Sequence, residues 1–449
     1  MDKFVVNGGK SLNGSTSVSG AKNVALKAIV AACLTSEKVT IDNIPLINDL
    51  SVMTEIVEDL GGSIETEDHK ANIQMKDFAK TRVALERAAE IRTSAMFMAP
   101  LLARKGEAVI PNPGGCRIGA RPIDRTIDGL SAMGVKSDYK SEDGYFHMSA
   151  SNGLSGADYA FKKSSHTGTE TLILAGVLAK GKTTLRNAAQ EPEIDELIEM
   201  LIKMGAQIKK TDKRTIEIVG VEKLHGAQFK VGPDRNEIVT LAVAALITKG
   251  DLFIKDAQSV DLSNFLDKMR EVGAGIEIKK DGIRFFFKED LKAADIQTSI
   301  YPGFMTDWQG PWAVLMTQAK GESLIHERVY ENRFGYVKEL NKMGANIELF
   351  NPNVENPEEF YEFNIEDDDS ANRHAAKIFG PTKLHNAVVA VSDLRAGATL
   401  VLGALAAKGE SIILEVHHLD RGYEKLDERL NSLGADIKRF DEDQPPVFE

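Results

Sequence analysis

The residue best suited to chemistry is Cys116, in the glycine-rich segment Pro111–Pro122. Arg117 and Arg121 both lie within five residues of it. Nearby positive charge lowers the pKa of a thiol and favours the reactive thiolate. The glycines predict a flexible, exposed loop. Cys116 could therefore act as a nucleophile or a general acid, or it could be an incidental exposed thiol.

Other polar groups recur immediately before apolar segments. They are Lys22–Asn23, Arg92, Ser165–Thr169, Met305–Gln309 and Asp393–Arg395. Unpaired amides and the helix dipole favour an anion at a helix start. The Ser and Asp residues could be simple N-caps, but the dipole disfavours repeated Lys and Arg there. Together they predict one site for a polyanionic small molecule, with cations from Lys22, Arg92, Arg121, Arg395 and Arg421.

A six-fold repeat must position these groups. Six apolar segments each run through a short charged turn into a β-rich stretch; they begin at Ile29, Met96, Leu172, Thr240, Ala313 and Leu400. Each is followed by an amphipathic segment that ends at a glycine: Gly61, Gly134, Gly205, Gly273, Gly344 and Gly434. This order predicts a buried helix, a strand, a second helix capped by Gly, and one or more further strands.

The repeat length indicates how the units assemble. Four of the steps between these glycines are 68 to 73 residues, and the last is 90 because of the acidic, aromatic insertion Asn351–Ser370. A unit of about 70 residues cannot close a core alone. We therefore predict two domains of three repeats, whose helix starts converge on one shared site. The domains are residues 22–230, and residues 1–21 together with 231–449.

Composition excludes several classes of protein. The chain is 43% hydrophobic and 27% charged, and its net charge of −12 disfavours nucleic acid or an anionic membrane as the main partner. The sequence has no hydrophobic signal segment and no run of transmembrane length. Its two cysteines make no disulfide framework, and Cys33 is predicted to lie in the core. These features favour a reducing cytoplasm.

Three apparent ligand motifs are better explained otherwise. Gly176–Thr183 matches a phosphate-loop pattern, but a helix precedes it and a strand follows, the reverse of what that loop needs. His417–His418 lacks metal-ligand spacing to a third group. The run Asp367–Asp369 is typical of a solvated loop. We predict no metal and no organic cofactor.

Several segments resemble those of the enolpyruvyl transferases, and in particular the branch that acts on UDP-N-acetylglucosamine. They are SGAKN (Ser19–Asn23), PGGCRIGARPID (Pro113–Asp124), NAAQEPEI (Asn187–Ile194), YENRF (Tyr330–Phe334), SDLRAG (Ser392–Gly397) and HHLDRGYE (His417–Glu424). The resemblance spans nearly the whole chain. It implies a two-domain, inside-out α/β barrel. It also implies transfer of the enolpyruvyl group of phosphoenolpyruvate to the 3-hydroxyl of UDP-N-acetylglucosamine, for peptidoglycan precursor synthesis.

The same resemblance implies residue roles. Lys22, Arg121 and Arg421 would hold phosphoenolpyruvate, and Cys116 would protonate its methylene carbon. Asp307 would be the base near the sugar hydroxyl, with Asp393 and Arg395 in support. The UDP-N-acetylglucosamine contacts would be Asn23, Arg92, Arg121, Pro122, Ile123, Asp124, Arg125, Lys163, Ser164, Ser165, His166, Asp307 and Val329.

The chain departs from the family pattern at three places. Thr167 stands where the family usually has Gly, the segment after Arg235 differs, and the insertion Asn351–Ser370 is atypical. Two alternatives stay open. One is a paralogous enolpyruvyl transferase that acts on another hydroxylated anion, such as shikimate 3-phosphate. The other is a catalytically silent binding protein on the same scaffold, although the key ionic residues are present.

Overall fold

The computed structural model describes residues 2–115, 118–120 and 122–440. Cys116, Arg117 and Arg121 lie outside these described residues. The helices are α1 (Lys22–Ala32), α2 (Asn48–Asp59), α3 (Leu85–Glu90), α4 (Met98–Lys105), α5 (Asp124–Ala132), α6 (His166–Gly176), α7 (Pro192–Lys203), α8 (Arg235–Ile247), α9 (Ser263–Glu271), α10 (Gln309–Thr317), α11 (Val337–Lys342), α12 (Pro357–Phe360), α13 (Leu394–Ala406) and α14 (Leu426–Ser432).

The strands are short and evenly distributed along the chain. They are β1 (Lys3–Asn7), β2 (Asn13–Thr16), β3 (Val39–Asp42), β4 (Ser63–Glu67), β5 (Lys70–Gln74), β6 (Glu107–Pro111), β7 (Lys136–Lys140), β8 (Tyr145–Ser149), β9 (Asp158–Ala160), β10 (Lys182–Arg186), β11 (Gln207–Asp212), β12 (Thr215–Val219), β13 (Gln228–Lys230), β14 (Asp251–Lys255), β15 (Gly275–Lys279), β16 (Gly282–Phe286), β17 (Ile296–Gln297), β18 (Gly321–His326), β19 (Ile347–Phe350), β20 (Ala375–Gly380), β21 (Val388–Ala390), β22 (Glu410–Leu414) and β23 (Ile437–Phe440).

The six-fold repeat is confirmed element by element. Each apolar segment forms a helix that leads into a strand, and each amphipathic segment forms the second helix. All six glycines that follow the second helices have a positive φ, between 90° and 105°. Only glycine adopts that backbone without strain, which is why it ends each of these helices. The phosphate-loop match is excluded, because α6 ends at Gly176 and β10 begins at Lys182.

The chain divides into two compact units. Among the described residues, the central unit comprises 20–115 and 122–232, and the terminal unit comprises 2–19, 118–120 and 233–440. The limits at residues 20 and 232 lie two residues from the predicted boundaries, whereas residues 118–120 group with the terminal unit although the prediction placed them in the central domain. Strands β1 and β2 belong to the terminal unit because β1 pairs with β22 and β23, and β2 pairs with β14.

Each unit surrounds buried helices with three separate sheets. In the central unit the strand orders are β13-β3-β5-β4, β6-β8-β7 and β11-β12-β10-β9. In the terminal unit they are β21-β22-β1-β23, β15-β16-β14-β2 and β17-β18-β20-β19. Helices α8 and α10 are buried along their whole length, as expected for segments that are apolar all round. The fold is therefore mixed α/β with helices inside and sheets outside, and among the described strands no sheet closes into a barrel.

The insertion Asn351–Ser370 is an ordered part of the terminal unit. It contains α12 and packs Tyr361 and Phe363 against His374, with ring centroids 5.1 and 5.2 Å away. A carboxylate oxygen of Asp368, also in the insertion, lies 2.8 Å from His374 Nε2. The segment thus has its own small aromatic core, which the sequence did not reveal. Among the described helices, none combines the length and apolar character that a membrane crossing requires.

Candidate active site

In the terminal unit, the starts of three buried helices meet around Asp307. Asp307 lies in a single 3-10 turn, Thr306–Trp308, immediately before α10. One of its carboxylate oxygens lies 2.5 Å from Arg333 Nη2, and the other lies 3.5 Å from Arg395 Nη2, near the start of α13. Arg235, the first residue of α8, adds a third charge to its surroundings. The predicted convergence of helix starts is therefore confirmed for this unit.

These arginines determine the protonation state of Asp307. Burial acts to raise the pKa of Asp307, but the positive charges of Arg395, Arg333 and Arg235 outweigh it and lower the pKa to about 2. Burial acts to lower the pKa of Arg395, but its interactions with Asp307, Tyr423 and Asp234 together outweigh burial and raise the pKa. Asp307 is consequently a fully ionised acceptor at neutral pH.

Asp393 orients Arg395 through the backbone. As N-cap of α13, the Asp393 side chain accepts hydrogen bonds from the amides of Arg395 (3.0 Å) and Ala396 (3.1 Å). Arg395 Nη1 also donates to the Tyr423 hydroxyl at 3.2 Å, which in turn lies 2.9 Å from Thr240 Oγ1. Asp393 thus fixes the backbone of Arg395, while Tyr423 holds its guanidinium beside Asp307.

Val329 and Arg421 are also in the terminal unit. The Val329 amide donates to the buried carboxylate of Glu327 at 2.8 Å. Arg421 is half-buried, and burial together with the charges of His417 and Arg421 lowers the pKa of His418.

In the central unit, three of the predicted segments come together. Arg92 Nη2 lies 3.5 Å from the carbonyl oxygen of Pro122. Arg125, in the first turn of α5, donates from Nη1 to the carbonyl of Ser164 at 3.2 Å. Ser165 caps α6 by accepting from the amide of Gly168 at 3.1 Å. Three other predicted residues belong to the same segments. Ile123 is buried, Asp124 begins α5 and is exposed, and Lys163 is half-buried.

Lys22 and Asn23 begin α1 in the same unit. Lys22 Nζ lies 2.6 Å from a carboxylate oxygen of Asp49, near the start of α2, and both side chains are largely buried. Asn23 is half-buried next to it.

A buried ionic triad links α1 to α6. Glu170 Oε1 lies 3.0 Å from Lys27 Nζ and 3.1 Å from His166 Nε2, and the Glu170 side chain is fully buried. Burial and the charge of Lys27 act to lower the pKa of His166, but the charges of Glu170 and Glu191 together with the close contact to Glu170 outweigh them and raise the pKa. The pKa of Glu170 is lowered, because His166 and Lys27 together outweigh its desolvation.

Two predicted residues, Cys116 and Arg121, lie outside the described residues, and their roles stay predictions. The other cysteine, Cys33, is fully buried in α1's C-terminal turn, which raises the pKa of its thiol to about 12. That confirms its prediction as a core residue.

Four charged residues of these clusters were not predicted from the sequence: Lys27, Asp49, Glu170 and Arg333. Lys27 and Glu170 carried one available signal, since each interrupts an otherwise apolar helix. Arg333 lay within the recognised segment Tyr330–Phe334, without an assigned role. Among the described residues, no group of three or more His, Cys, Asp or Glu side chains is arranged to hold a metal ion.

The terminal-unit cluster can bind a polyanion and accept a hydrogen bond from a hydroxyl. Arginines offer planar, charged donors that match carboxylate and phosphate groups. A carboxylate between them stays ionised and can accept from a donor placed within reach. Such a combination is suited to group transfer between a hydroxyl compound and a phosphorylated anion.

Comparisons with known proteins agree with this chemistry. Residues 6–430 match the family model described as EPSP synthase (3-phosphoshikimate 1-carboxyvinyltransferase). The chain is 42% identical to a UDP-N-acetylglucosamine 1-carboxyvinyltransferase of Acidobacterium capsulatum, over 98% of this chain and 96% of that protein. It is 40% identical to the protein of the same name from Koribacter versatilis, over 98% and 97% of the two chains.

Solved structures share the fold at lower sequence identity. The enolpyruvyl transferase NikO from Streptomyces tendae superimposes with a TM-score of 0.84 at 24% identity, covering 98% of this chain and 99% of that one. EPSP synthase from Acinetobacter baumannii gives a TM-score of 0.74 at 18% identity, covering 98% and 100%. On the family model and the relatives about 40% identical, the chain belongs to the enolpyruvyl transferase family of EPSP synthase, and within it to the UDP-N-acetylglucosamine 1-carboxyvinyltransferases.

Proposed function

We propose that this protein transfers the enolpyruvyl group of phosphoenolpyruvate to the 3-hydroxyl of UDP-N-acetylglucosamine and releases phosphate. The observation that carries the proposal is Asp307 held between Arg333 and Arg395, at 2.5 and 3.5 Å. The names of relatives that are about 40% identical over the whole chain favour this acceptor over shikimate 3-phosphate. The reaction would serve peptidoglycan precursor synthesis in the cytoplasm.

The proposed reaction has two stages. In the first, the sugar oxygen bonds to C2 of phosphoenolpyruvate, C3 gains a proton from Cys116, and Asp307 accepts the hydroxyl proton. In the second, the Cys116 thiolate takes a proton back from C3, the double bond reforms between C3 and C2, and the bond from C2 to the phosphate oxygen breaks. The proton held by Asp307 leaves with the departing phosphate, so both residues return to their starting states. Lys22, Arg121 and Arg421 would hold the phosphate and carboxylate of phosphoenolpyruvate throughout.

The charge balance around Asp307 gives this scheme a physical rationale. With three arginines nearby, Asp307 has a pKa of about 2 and is a weak base. An anionic substrate that binds Arg395 or its neighbours would offset their charge and raise the basicity of Asp307. The base would thus gain strength only when the second substrate is present.

The contacts to UDP-N-acetylglucosamine form the remaining part of the proposal. They are Asn23, Arg92, Arg121, Pro122, Ile123, Asp124, Arg125, Lys163, Ser164, Ser165, His166, Asp307 and Val329. The hydrogen bond from Arg125 to Ser164 supports a common site for two of these segments.

A phosphate-release assay tests the proposal. The protein is mixed with phosphoenolpyruvate and either UDP-N-acetylglucosamine or shikimate 3-phosphate, and inorganic phosphate is followed. We expect release with the nucleotide sugar; release only with shikimate 3-phosphate would identify the paralogue, and release with neither would favour the silent binding protein.

The role of Cys116 has its own test. The variant Cys116→Ala should lose turnover, and Cys116→Asp should retain it, if the residue serves as an acid. Full activity in Cys116→Ala would remove Cys116 from the mechanism. The epoxide fosfomycin should alkylate Cys116 alone, because the raised pKa of buried Cys33, about 12, keeps that thiol protonated. Mass spectrometry of the digested protein locates the adduct.

A further inference from the structure

A fully buried carboxylate, Glu327, lies at the end of β18 in the terminal unit. Its Oε1 accepts hydrogen bonds from the amides of Val329 (2.8 Å) and Tyr330 (3.1 Å). Its Oε2 accepts from Thr306 Oγ1 (2.9 Å) and Gln309 Nε2 (2.9 Å). One carboxylate therefore collects four donors, two from each of two separate segments of the chain.

Those two segments are the ones that carry Asp307 and Val329. Thr306 and Gln309 lie on either side of Asp307, before and at the start of α10. The amides of Val329 and Tyr330 begin the segment that continues to Arg333, the close partner of Asp307. Glu327 thus joins the Asp307 turn to the segment of Val329 and Arg333.

The position of Glu327 is itself constrained. Its amide donates to the carbonyl of His374 at 2.7 Å, at the base of the insertion. Gln309 is fixed in turn, because its Oε1 accepts from the Tyr336 hydroxyl at 2.7 Å and so cannot exchange places with Nε2. Burial raises the pKa of Glu327, although the charge of Arg333 and the surrounding donors oppose that rise.

We propose that Glu327 is a positioning residue for the transfer reaction: it holds Asp307 and Val329 in one fixed arrangement for the nucleotide sugar. This inference rests on the proposed function. Glu327 does not contact substrate in this scheme; it acts through the two segments that it joins. A carboxylate is required because only it offers acceptors on both sides, whereas an amide or an acid presents a donor on one side.

The isosteric variant Glu327→Gln tests this directly. Its NH2 group would face either the Gln309 and Thr306 side chains or the two backbone amides. The Thr306 hydroxyl can accept as well as donate, but the Gln309 NH2 and the backbone amides cannot, so one of the two segments must lose at least one hydrogen bond. We expect the KM for UDP-N-acetylglucosamine to rise about tenfold, consistent with a buried donor left without a partner. The KM for phosphoenolpyruvate should stay within about twofold of the wild type, since removing one polar contact affects mainly the ligand it positions.

The matched control is Asp295→Asn. Asp295 also accepts a hydrogen bond from a backbone amide, that of Leu324 in β18 at 2.7 Å, but is exposed and does not touch the Asp307 turn. We expect it to leave both KM values unchanged. If Glu327→Gln fails to fold, Thr306→Val provides a second variant that removes a single donor. It should raise the KM for UDP-N-acetylglucosamine about threefold and leave the KM for phosphoenolpyruvate within about twofold of the wild type.

The outcomes separate the inference from the function on which it rests. Wild-type phosphate release with UDP-N-acetylglucosamine is measured first, and its absence would contradict the proposed function. Given wild-type turnover, a variant with lowered thermal stability and an unchanged KM for the nucleotide sugar would overturn the inference alone. An equal rise in both KM values would also overturn it, because it would indicate general distortion.

Discussion

The two units are built from the same repeat, and each buries charge at helix starts, but the central unit also carries an ion pair deeper in its helices. In the central unit, Lys27 and Glu170 form an ion pair inside the helical core, several residues from the starts of α1 and α6. In the terminal unit, the charges Asp307, Arg333 and Arg395 gather at the starts of the buried helices.

The same repeat can therefore bury charged side chains at different positions along its helices. A buried ion pair loses hydration on both partners, so it need not add net stability, but removal of one partner is strongly destabilising. A cluster at helix starts keeps partial access to water, as the Asp307 side chain does at 26% exposure. We therefore expect changes to the terminal cluster to affect activity most, and changes to the central pair to affect folding most.

The largest effect should follow from Asp307→Asn. The variant cannot accept a proton, and it leaves Arg333 and Arg395 without their shared counter-charge. We expect turnover to fall by about 10²- to 10⁴-fold, measured as initial phosphate release. The control is Asp367→Asn in the exposed part of the insertion, which should keep wild-type rates. Full turnover of Asp307→Asn would contradict its role as the base.

Next comes Lys27→Met in the central unit. Glu170 would remain buried with only His166 as its partner, and the free energy of unfolding should fall by about 3 kcal/mol. Urea unfolding followed by circular dichroism measures the loss. Both tryptophans, Trp308 and Trp312, lie in the terminal unit, so their fluorescence provides a separate probe.

A matched surface pair serves as the control for that measurement. Lys203 and Glu199 form an exposed i,i+4 pair on α7 at 2.7 Å. Because water already screens exposed pairs, Lys203→Met should cost no more than about 1 kcal/mol. Equal losses in the two variants would show that the central triad is no more coupled than a surface pair.

A smaller effect should appear in the pH dependence of stability, with opposite signs in the two units. The raised pKa of His166 means that its stabilisation is complete below its unfolded pKa of about 6.5 and is lost as pH rises through the folded value. Burial, Arg328 and His374 lower the pKa of His326 to about 4. Its contribution is complete above about pH 6.5 and is lost as pH falls towards 4.

Two leucine variants separate these contributions. His166→Leu should flatten the pH dependence of the circular dichroism transition above pH 6.5. His326→Leu should flatten that of the tryptophan transition below pH 6.5. A pH profile that neither variant alters would mean that other groups dominate the titration in this range.

The smallest effect should follow from Phe360→Ala in the insertion. The Arg328 guanidinium lies 4.2 Å from the Phe360 ring centre, and Arg328 Nε donates to the Phe360 carbonyl at 2.9 Å. Loss of the ring should lower the free energy of unfolding of the insertion by about 1 kcal/mol. This loss would appear as faster proteolysis within residues 351–374. The control Glu358→Ala, at an exposed position, should leave the cleavage rate unchanged. Unchanged cleavage of Phe360→Ala would exclude the ring as an anchor.

Much of the fold could be predicted because it repeats. The six apolar and six amphipathic segments form the predicted helices, and the six glycines that follow the amphipathic helices have a positive φ. Both features could be predicted because helix periodicity and the conformational freedom of glycine are local properties. The polar groups at helix starts could also be located from the sequence, because they stand immediately before the apolar segments. Their convergence around Asp307 followed from the idea that three like repeats would present equivalent ends together.

Partners across the sequence could not be predicted in the same way. Glu327 contacts residues about 20 positions earlier in the chain, and Lys27 meets Glu170 more than 140 positions later. The insertion could not be placed from the sequence, because its aromatic residues pack against partners outside it, among them His326 and His374.

By itself, the sequence determined the repeat, the helix ends and the types of charged group available, because each depends on neighbours within a few residues. Only the tertiary structure decided which charges meet, that Asp307 is ionised between two guanidinium groups, and that Glu327 joins two segments. Electrostatic energies depend on distance and burial in space, and separation along the chain does not specify either.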